Sequence, residues 1–267
     1  MPTHVRPATA TTLAHRVVGS GRRVVVVHGF AQTGGCLGPL AGDLARDHQV
    51  VLPDAPAHGA SAAHLGASLA DGAALLAATG GRAVYVGYSM GGRLCLQLAV
   101  DHPELVEALV VVGATAGIAD DEERHARRRR DLTLAERVEA IGVDAFLAEW
   151  LALPLFAGLP AWARFDDERR ANTAAGLADH LRHAGTGSMA PLWDRLPATI
   201  GERGVPVCCV TGGEDRPYVQ LADRLAAAIG PAAATVVVPD AGHAAHLEAP
   251  DAVVAAVRST LADARPS

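Results

Sequence analysis

Short apolar runs, rich in β-branched residues and without polar alternation, occur at 23–27, 49–52, 83–87, 108–113, 205–211 and 234–238. Runs of this length and continuity are what strands buried on both faces of a parallel sheet require. Between them apolar residues recur every three or four positions, which predicts helices over 37–45, 68–78, 91–102, 219–229 and 251–261. Strand and helix thus alternate, and right-handed crossovers turn that alternation into a mostly parallel, doubly wound sheet of the α/β class. The alternation fails over 115–204, a charged, helix-prone stretch in which Leu134, Val138 and Ile141 share one helical face. The expected organisation is therefore a core of 1–114 and 205–267 with a helical cap inserted at 115–204. That cap would lie over the carboxyl ends of the strands, where open α/β sheets bind ligands.

Composition narrows the function classes. With 50% hydrophobic and 19% charged residues the chain is able to bury a core, which excludes disorder as its main state. A net charge of −6 argues against a dedicated nucleic-acid binder. The run Arg127–Arg130 points to different sides of a helix without aromatic interleaving, so it does not restore that reading. No apolar run approaches the ~18 residues of a membrane span, and the first twelve residues lack the apolar centre of a secretory signal, so a cytoplasmic protein is expected. Cys36, Cys95, Cys208 and Cys209 have no metal or redox spacing and read as buried thiols.

The densest chemistry lies in Gly87-Tyr88-Ser89-Met90-Gly91-Gly92, directly after one apolar run and directly before an amphipathic stretch. A tight strand-to-helix turn exposes such a serine and admits only small flanking residues, and the helix N-terminus beneath it favours developing negative charge. Gly212-Gly213-Glu214-Asp215 follows the run at 205–211, and Ala241-Gly242-His243 follows the run at 234–238. Serine, acid and histidine in that order suit a nucleophile, an orienting carboxylate and a proton-relaying base. Asp215 is favoured over its neighbour Glu214 as the acid, and His246 reads as a packing or capping residue. His28-Gly29-Phe30 follows the first run, so the backbone N–H groups of Phe30 and Met90 would converge as an oxyanion hole while His28 holds the loop.

Through these residues the chain resembles the α/β-hydrolase superfamily over nearly its whole length, with Asp54-Ala55-Pro56-Ala57-His58-Gly59 and Ser61 as a further matching segment. It departs at Ala57, where the superfamily's loop usually has glycine. Since that fold hosts many reactions, finer features must name one. Tyr88 precedes the serine and Arg93 follows it by four; the cap opens with Gly117-Ile118-Ala119-Asp120-Asp121-Glu122-Glu123-Arg124 and then Arg127. Further on stand Phe146, Trp150, Pro154 and Phe156, then Glu168-Arg169-Arg170 before Gly176, and Gly185-Thr186-Gly187 before Pro191-Leu192-Trp193. This set resembles the 2-succinyl-6-hydroxy-2,4-cyclohexadiene-1-carboxylate synthase family of menaquinone biosynthesis.

The resemblance implies a lyase that eliminates pyruvate from 2-succinyl-5-enolpyruvyl-6-hydroxy-3-cyclohexene-1-carboxylate and hydrolyses no ester or amide. It implies a triad of Ser89, Asp215 and His243, oxyanion donors at Phe30 and Met90, and substrate contacts from Tyr88, Arg124, Trp150 and Arg169. No metal or organic cofactor is implied, and the partner is a small polycarboxylate, handled by a monomer or homodimer. Arginine suits that task, because its planar fork binds carboxylate bidentately and stays charged. The residues alone leave alternatives open. Asp120 with Arg124 and Glu123 with Arg127, at i,i+4, also fit a solvated, dipole-matched helix, and Trp150 also fits a core. Counting back from Gly176 favours Arg169 over Arg170. A serine ester or C–C-bond hydrolase using Ser89 as covalent nucleophile would carry the same triad, and a non-catalytic binding protein the same fold.

Overall fold

The computed structural model describes residues 4–264. Its strands are β1 (His4–Arg6), β2 (His15–Val18), β3 (Arg22–Val27), β4 (His48–Pro53), β5 (Ala83–Tyr88), β6 (Val106–Val112), β7 (Val207–Gly212) and β8 (Ala233–Val238). They form one sheet in the order β1-β2-β4-β3-β5-β6-β7-β8, parallel from β4 to β8, with Val24 opposite both Val50 and Val84. Six of these strands are the predicted apolar runs. The antiparallel pair β1–β2 is not among them: β2, against β4, is half-buried throughout and so carries no continuous apolar run to announce it.

Helices α1 (Gly38–Leu44), α2 (Leu69–Gly80) and α3 (Met90–Asp101) follow β3, β4 and β5. After β6 come α4 (Asp121–Leu151), α5 (Asp166–Arg170) and α6 (Ala174–Ala184), and after β7 and β8 come α7 (Arg216–Ile229), α8 (Ala245–Glu248) and α9 (Pro250–Asp263). Side chains along a strand alternate between the two faces of the sheet. Val25, Val27, Val51, Tyr85, Leu109 and Val111 accordingly pack with α2, α3 and α7, while Val24, Val26, Val50, Val84, Val86 and Val110 pack with α1 and α9. Both faces are covered, which is why the strands could not show polar alternation.

No strand interrupts residues 113–206. There α4 starts on the side chain of Asp120, which accepts the Glu123 N–H at 2.8 Å, and turns sharply at Gly142, whose φ of 77° suits a residue without Cβ. Helices α4 and α6 form a small core of their own from Ala135, Val138, Phe146, Leu147, Leu177, Ala178 and Leu181, closed by Ala31 from the loop after β3. That last contact sets the helical segment over the carboxyl end of the sheet. All four cysteines are free and buried, and no helix of the described residues is long and apolar enough to cross a membrane.

Candidate active site

The turn between β5 and α3 places Ser89 at φ 49°, ψ −106°, a conformation that costs a non-glycine residue about 1–3 kcal/mol. Neighbouring glycines make it possible. A Cβ on Gly87 would lie 2.4 Å from the Gly91 carbonyl oxygen, and one on Gly91 would lie 2.3 Å from the Val27 carbonyl oxygen. The Ser89 N–H donates to the Val112 carbonyl at 2.8 Å, so the turn is tied to β6 as well.

Ser89 Oγ is 3.0 Å from His243 Nε2, and His243 Nδ1 is 2.6 Å from Asp215 Oδ2. Asp215 and His243 are 8% and 4% exposed, so the three side chains are largely shielded from water, and a carboxylate at Nδ1 suits the tautomer that turns Nε2 as an acceptor toward the serine hydroxyl. Tyr88 and Tyr218 flank the imidazole at ring-centroid distances of 5.4 and 4.7 Å. Gly113 leaves room for it: a Cβ there would sit 3.1 Å from His243 Cε1. Glu214 is exposed, whereas Asp215 is buried on the histidine. His246 packs against Tyr88 at a ring-centroid distance of 4.1 Å, tilted by 41°, and neither ring nitrogen has a hydrogen-bond partner among the described residues, as packing requires no such bond.

The loop after β3 is braced on two sides. His28 Nδ1 lies 2.8 Å from the Gly29 carbonyl and its Nε2 accepts the Ala55 N–H at 2.9 Å, while the Gly29 N–H donates to Gln32 Oε1 at 2.9 Å. From the helical segment, Arg169 Nη1 donates to the Ala31 carbonyl at 3.0 Å and Asn172 Nδ2 to the Gln32 carbonyl at 3.3 Å. Phe30 is thereby fixed beside the serine. Met90 opens α3, where a backbone N–H has no intrahelical acceptor. Both residues line a cavity of about 410 Å³ that includes Ser89 and His243.

Four arginines line that cavity: Arg93, Arg127, Arg130 and Arg169. Arg127 pairs with Asp131, but Arg93, Arg130 and Arg169 have no carboxylate partner among the described residues. Burial pushes the Arg93 guanidinium down to about 10 and lowers that of Arg169 as well, yet both stay cationic near neutrality. Tyr88, Trp150 and Arg169 stand on the cavity wall as expected from sequence, and Trp150 packs edge-on to Phe30 at 5.3 Å with its indole N–H buried without an acceptor. Arg170 points outward, paired with Asp144 and Asp167.

Arg124 is placed differently. It lies outside the cavity wall, donating to the carbonyls of Ile118 and Ala119 and pairing with Asp121. Arg127, one turn further along α4, takes the cavity position. Spacing along a helix could have nominated either, since the two share a side.

The sequence matches the alpha/beta hydrolase family over residues 24–256. The 2-succinyl-6-hydroxy-2,4-cyclohexadiene-1-carboxylate synthase of Serratia proteamaculans (strain 568) is 32% identical over 78% of this chain and 81% of that protein. The synthase of the same name from Escherichia coli O1:K1 / APEC is 32% identical over 89% of this chain and 93% of its own length. A Bacillus subtilis (strain 168) protein carrying that name provisionally is 36% identical, over 62% of this chain and 60% of that protein. The chain is an α/β hydrolase of the 2-succinyl-6-hydroxy-2,4-cyclohexadiene-1-carboxylate synthase family. In fold it is similar to the solved structure of MenH from S. aureus, with a TM-score of 0.86 at 24% identity over 94% of this chain and 99% of that one.

Sequence reasoning missed His180 and Tyr218 on the wall, and it noted Arg93 and Arg127 without assigning them a place there. A cavity-facing residue on a helix differs from a core-facing one only by the helix's rotation, which no short motif encodes. Arg93 was the one within reach, because its spacing of four from the serine puts it on the serine's side of α3.

Proposed function

We propose that this chain is a carbon–oxygen lyase that eliminates pyruvate from 2-succinyl-5-enolpyruvyl-6-hydroxy-3-cyclohexene-1-carboxylate. The observation that carries the reading is a serine triad opening into a cavity lined by four arginines, three of them free of any carboxylate partner among the described residues. A neutral ester leaves these guanidinium groups without a counter-charge, whereas a tricarboxylate satisfies them with charge-assisted hydrogen bonds.

In this mechanism Ser89 gives its hydroxyl proton to His243 Nε2 and takes the proton from the carbon beside the succinyl ketone. The resulting enolate oxygen meets the N–H groups of Phe30 and Met90, the donors that other α/β hydrolases aim at a tetrahedral oxyanion. The electron pair of the broken C–H bond then forms a ring double bond between C2 and C3, the existing C3–C4 double bond shifts to C4–C5, and the C5–oxygen bond to the enolpyruvyl group breaks, releasing an enolate that is protonated to pyruvate. Arg169 and Arg93 hold carboxylates of the bound substrate, Tyr88 and Trp150 contact it, and His243 returns the proton. We place the reaction in menaquinone biosynthesis, in the cytosol.

Purified protein mixed with the enolpyruvyl substrate is expected to release one pyruvate per ring, read by coupled NADH oxidation, while short-chain acyl esters turn over poorly. Absence of pyruvate at micromolar enzyme would refute the assignment.

A further inference from the structure

The cavity wall contains one carboxylate, Asp131, among its four arginines. An acid at that place opposes anion binding, so its presence calls for a compensating role. Asp131 is 3% exposed and both of its oxygens are engaged. Oδ1 accepts Arg127 Nε at 2.7 Å from one turn back on α4, and Oδ2 accepts the Gly187 N–H at 2.9 Å. With Nε committed, the two Nη groups of Arg127 are left for a ligand on the cavity side.

The turn Gly185-Thr186-Gly187 is seated on the same carboxylate. A Cβ on Gly185 would come 2.8 Å from Asp131 Oδ2, and one on Gly187 would come 2.2 Å from the Arg128 backbone nitrogen, so only glycine lets this turn lie flat on α4. On its other flank Arg93, from the helix that follows Ser89, donates Nη1 to the Ala184 carbonyl at 2.8 Å. Thr186 is buried, lines the cavity, and its hydroxyl makes no hydrogen bond among the described residues. Arg93, Thr186 and Arg127 thus line one stretch of wall with Asp131 behind it.

We infer that Asp131 is a positioning residue that locks Arg127 and the Gly185–Gly187 turn into one carboxylate-binding subsite, with the Thr186 hydroxyl as a third contact. This rests on the polycarboxylate-lyase reading and adds to it a reason for the acid on the wall.

The test is a double-mutant cycle of Asp131→Asn and Arg127→Gln, read by pyruvate release and, independently of turnover, by calorimetric binding of citrate as a tricarboxylate probe. Asp131→Asn removes one negative charge from the cavity, so a purely electrostatic role lowers KM and tightens citrate. The positioning role predicts the opposite: KM and the citrate Kd rise about tenfold while kcat changes by less than about threefold. In the Arg127→Gln background the same substitution should change either readout less than about twofold. Tightening, or an equal loss in both backgrounds, overturns the inference. Should Asp131→Asn fail to fold, Thr186→Val at unchanged Tm is expected to raise KM and the citrate Kd about fivefold, and wild-type values for it would overturn the subsite. A wild type that binds citrate in this pattern yet releases no pyruvate would refute the lyase and leave the subsite standing.

Discussion

Acid should unfold this protein earlier than its carboxylates would. Besides His243, four histidines are buried: His28 and His58 at 0% exposure, His246 at 1% and His180 at 3%. His28 has both ring nitrogens used in the neutral form, and a second proton would point at the Ala55 N–H that Nε2 now accepts. His58 Nε2, His180 Nε2 and both nitrogens of His246 have no partner to receive one. Burial therefore pulls His28 down to about 4 and His58 and His246 to about 3, and it lowers His180 well below the usual range. The unfolded chain binds protons at these groups below about 6.5 while the folded chain does not, so stability is present above that pH and is lost as pH falls. At pH 5 each group whose value is given above costs about 2 kcal/mol, about 6 kcal/mol for the three, with His180 acting in the same direction. Domain stabilities are about 5–15 kcal/mol. Urea denaturation at pH 7.5, 6.0 and 5.0 should show that loss before most carboxylates titrate, and His246→Leu should reduce it by about 2 kcal/mol. A change below about 2 kcal/mol between pH 7 and 5 in the wild type would refute the reasoning. Activity should fall with the folded fraction over the same interval, since His58 and His180 pack on Phe30 and His28 packs on His58.

Other outcomes test the site directly. Ser89→Ala should cut kcat at least about 10³-fold with Tm within a few degrees of wild type, and a loss under tenfold would remove Ser89 from the chemistry. Arg169→Lys cannot keep both carbonyl bonds, to Arg164 and Ala31, and still bind a carboxylate, so KM should rise about tenfold. Arg124→Gln should stay within about twofold of wild type, and equal effects at the two positions would contradict their placement. Gly91→Ala drives a Cβ to 2.3 and 2.6 Å from the carbonyl oxygens of Val27 and His28, so destabilisation of about 2–4 kcal/mol is expected, and a wild-type melting curve would contradict the packing of the turn.

Much of this was legible before any coordinates. Five strands showed as apolar runs because a sheet covered on both faces tolerates no polar alternation, while β8, a partly exposed edge strand, showed by its β-branched residues. The serine turn showed because steric limits on Gly87 and Gly91 are local, acting between residues a few positions apart and the strand beside them. Chain order placed the acid at Glu214 or Asp215, with Asp215 preferred, and only burial separates the two: Glu214 is exposed while Asp215 is buried against His243. Strand β2 stayed hidden because its pairing with β4 is non-local and its residues are half-buried.

What the sequence by itself determined, then, is the alternating sheet core and the three residues of the relay, since each is written in local periodicity or in a motif at a strand end. The tertiary structure decided which arginines line the cavity. Arg124 and Arg127 differ by a single helical turn, about 4.5 Å along α4, and only the packing of that helix on α6 and Ala31 determines that the second reaches the cavity while the first ties down the loop before it. The same packing brings Asp131 of α4 against the Gly187 N–H, and Arg169 of α5 against the loop carrying Phe30. These are contacts between distant segments, and distance along a chain carries no information about which of its charges will share a wall.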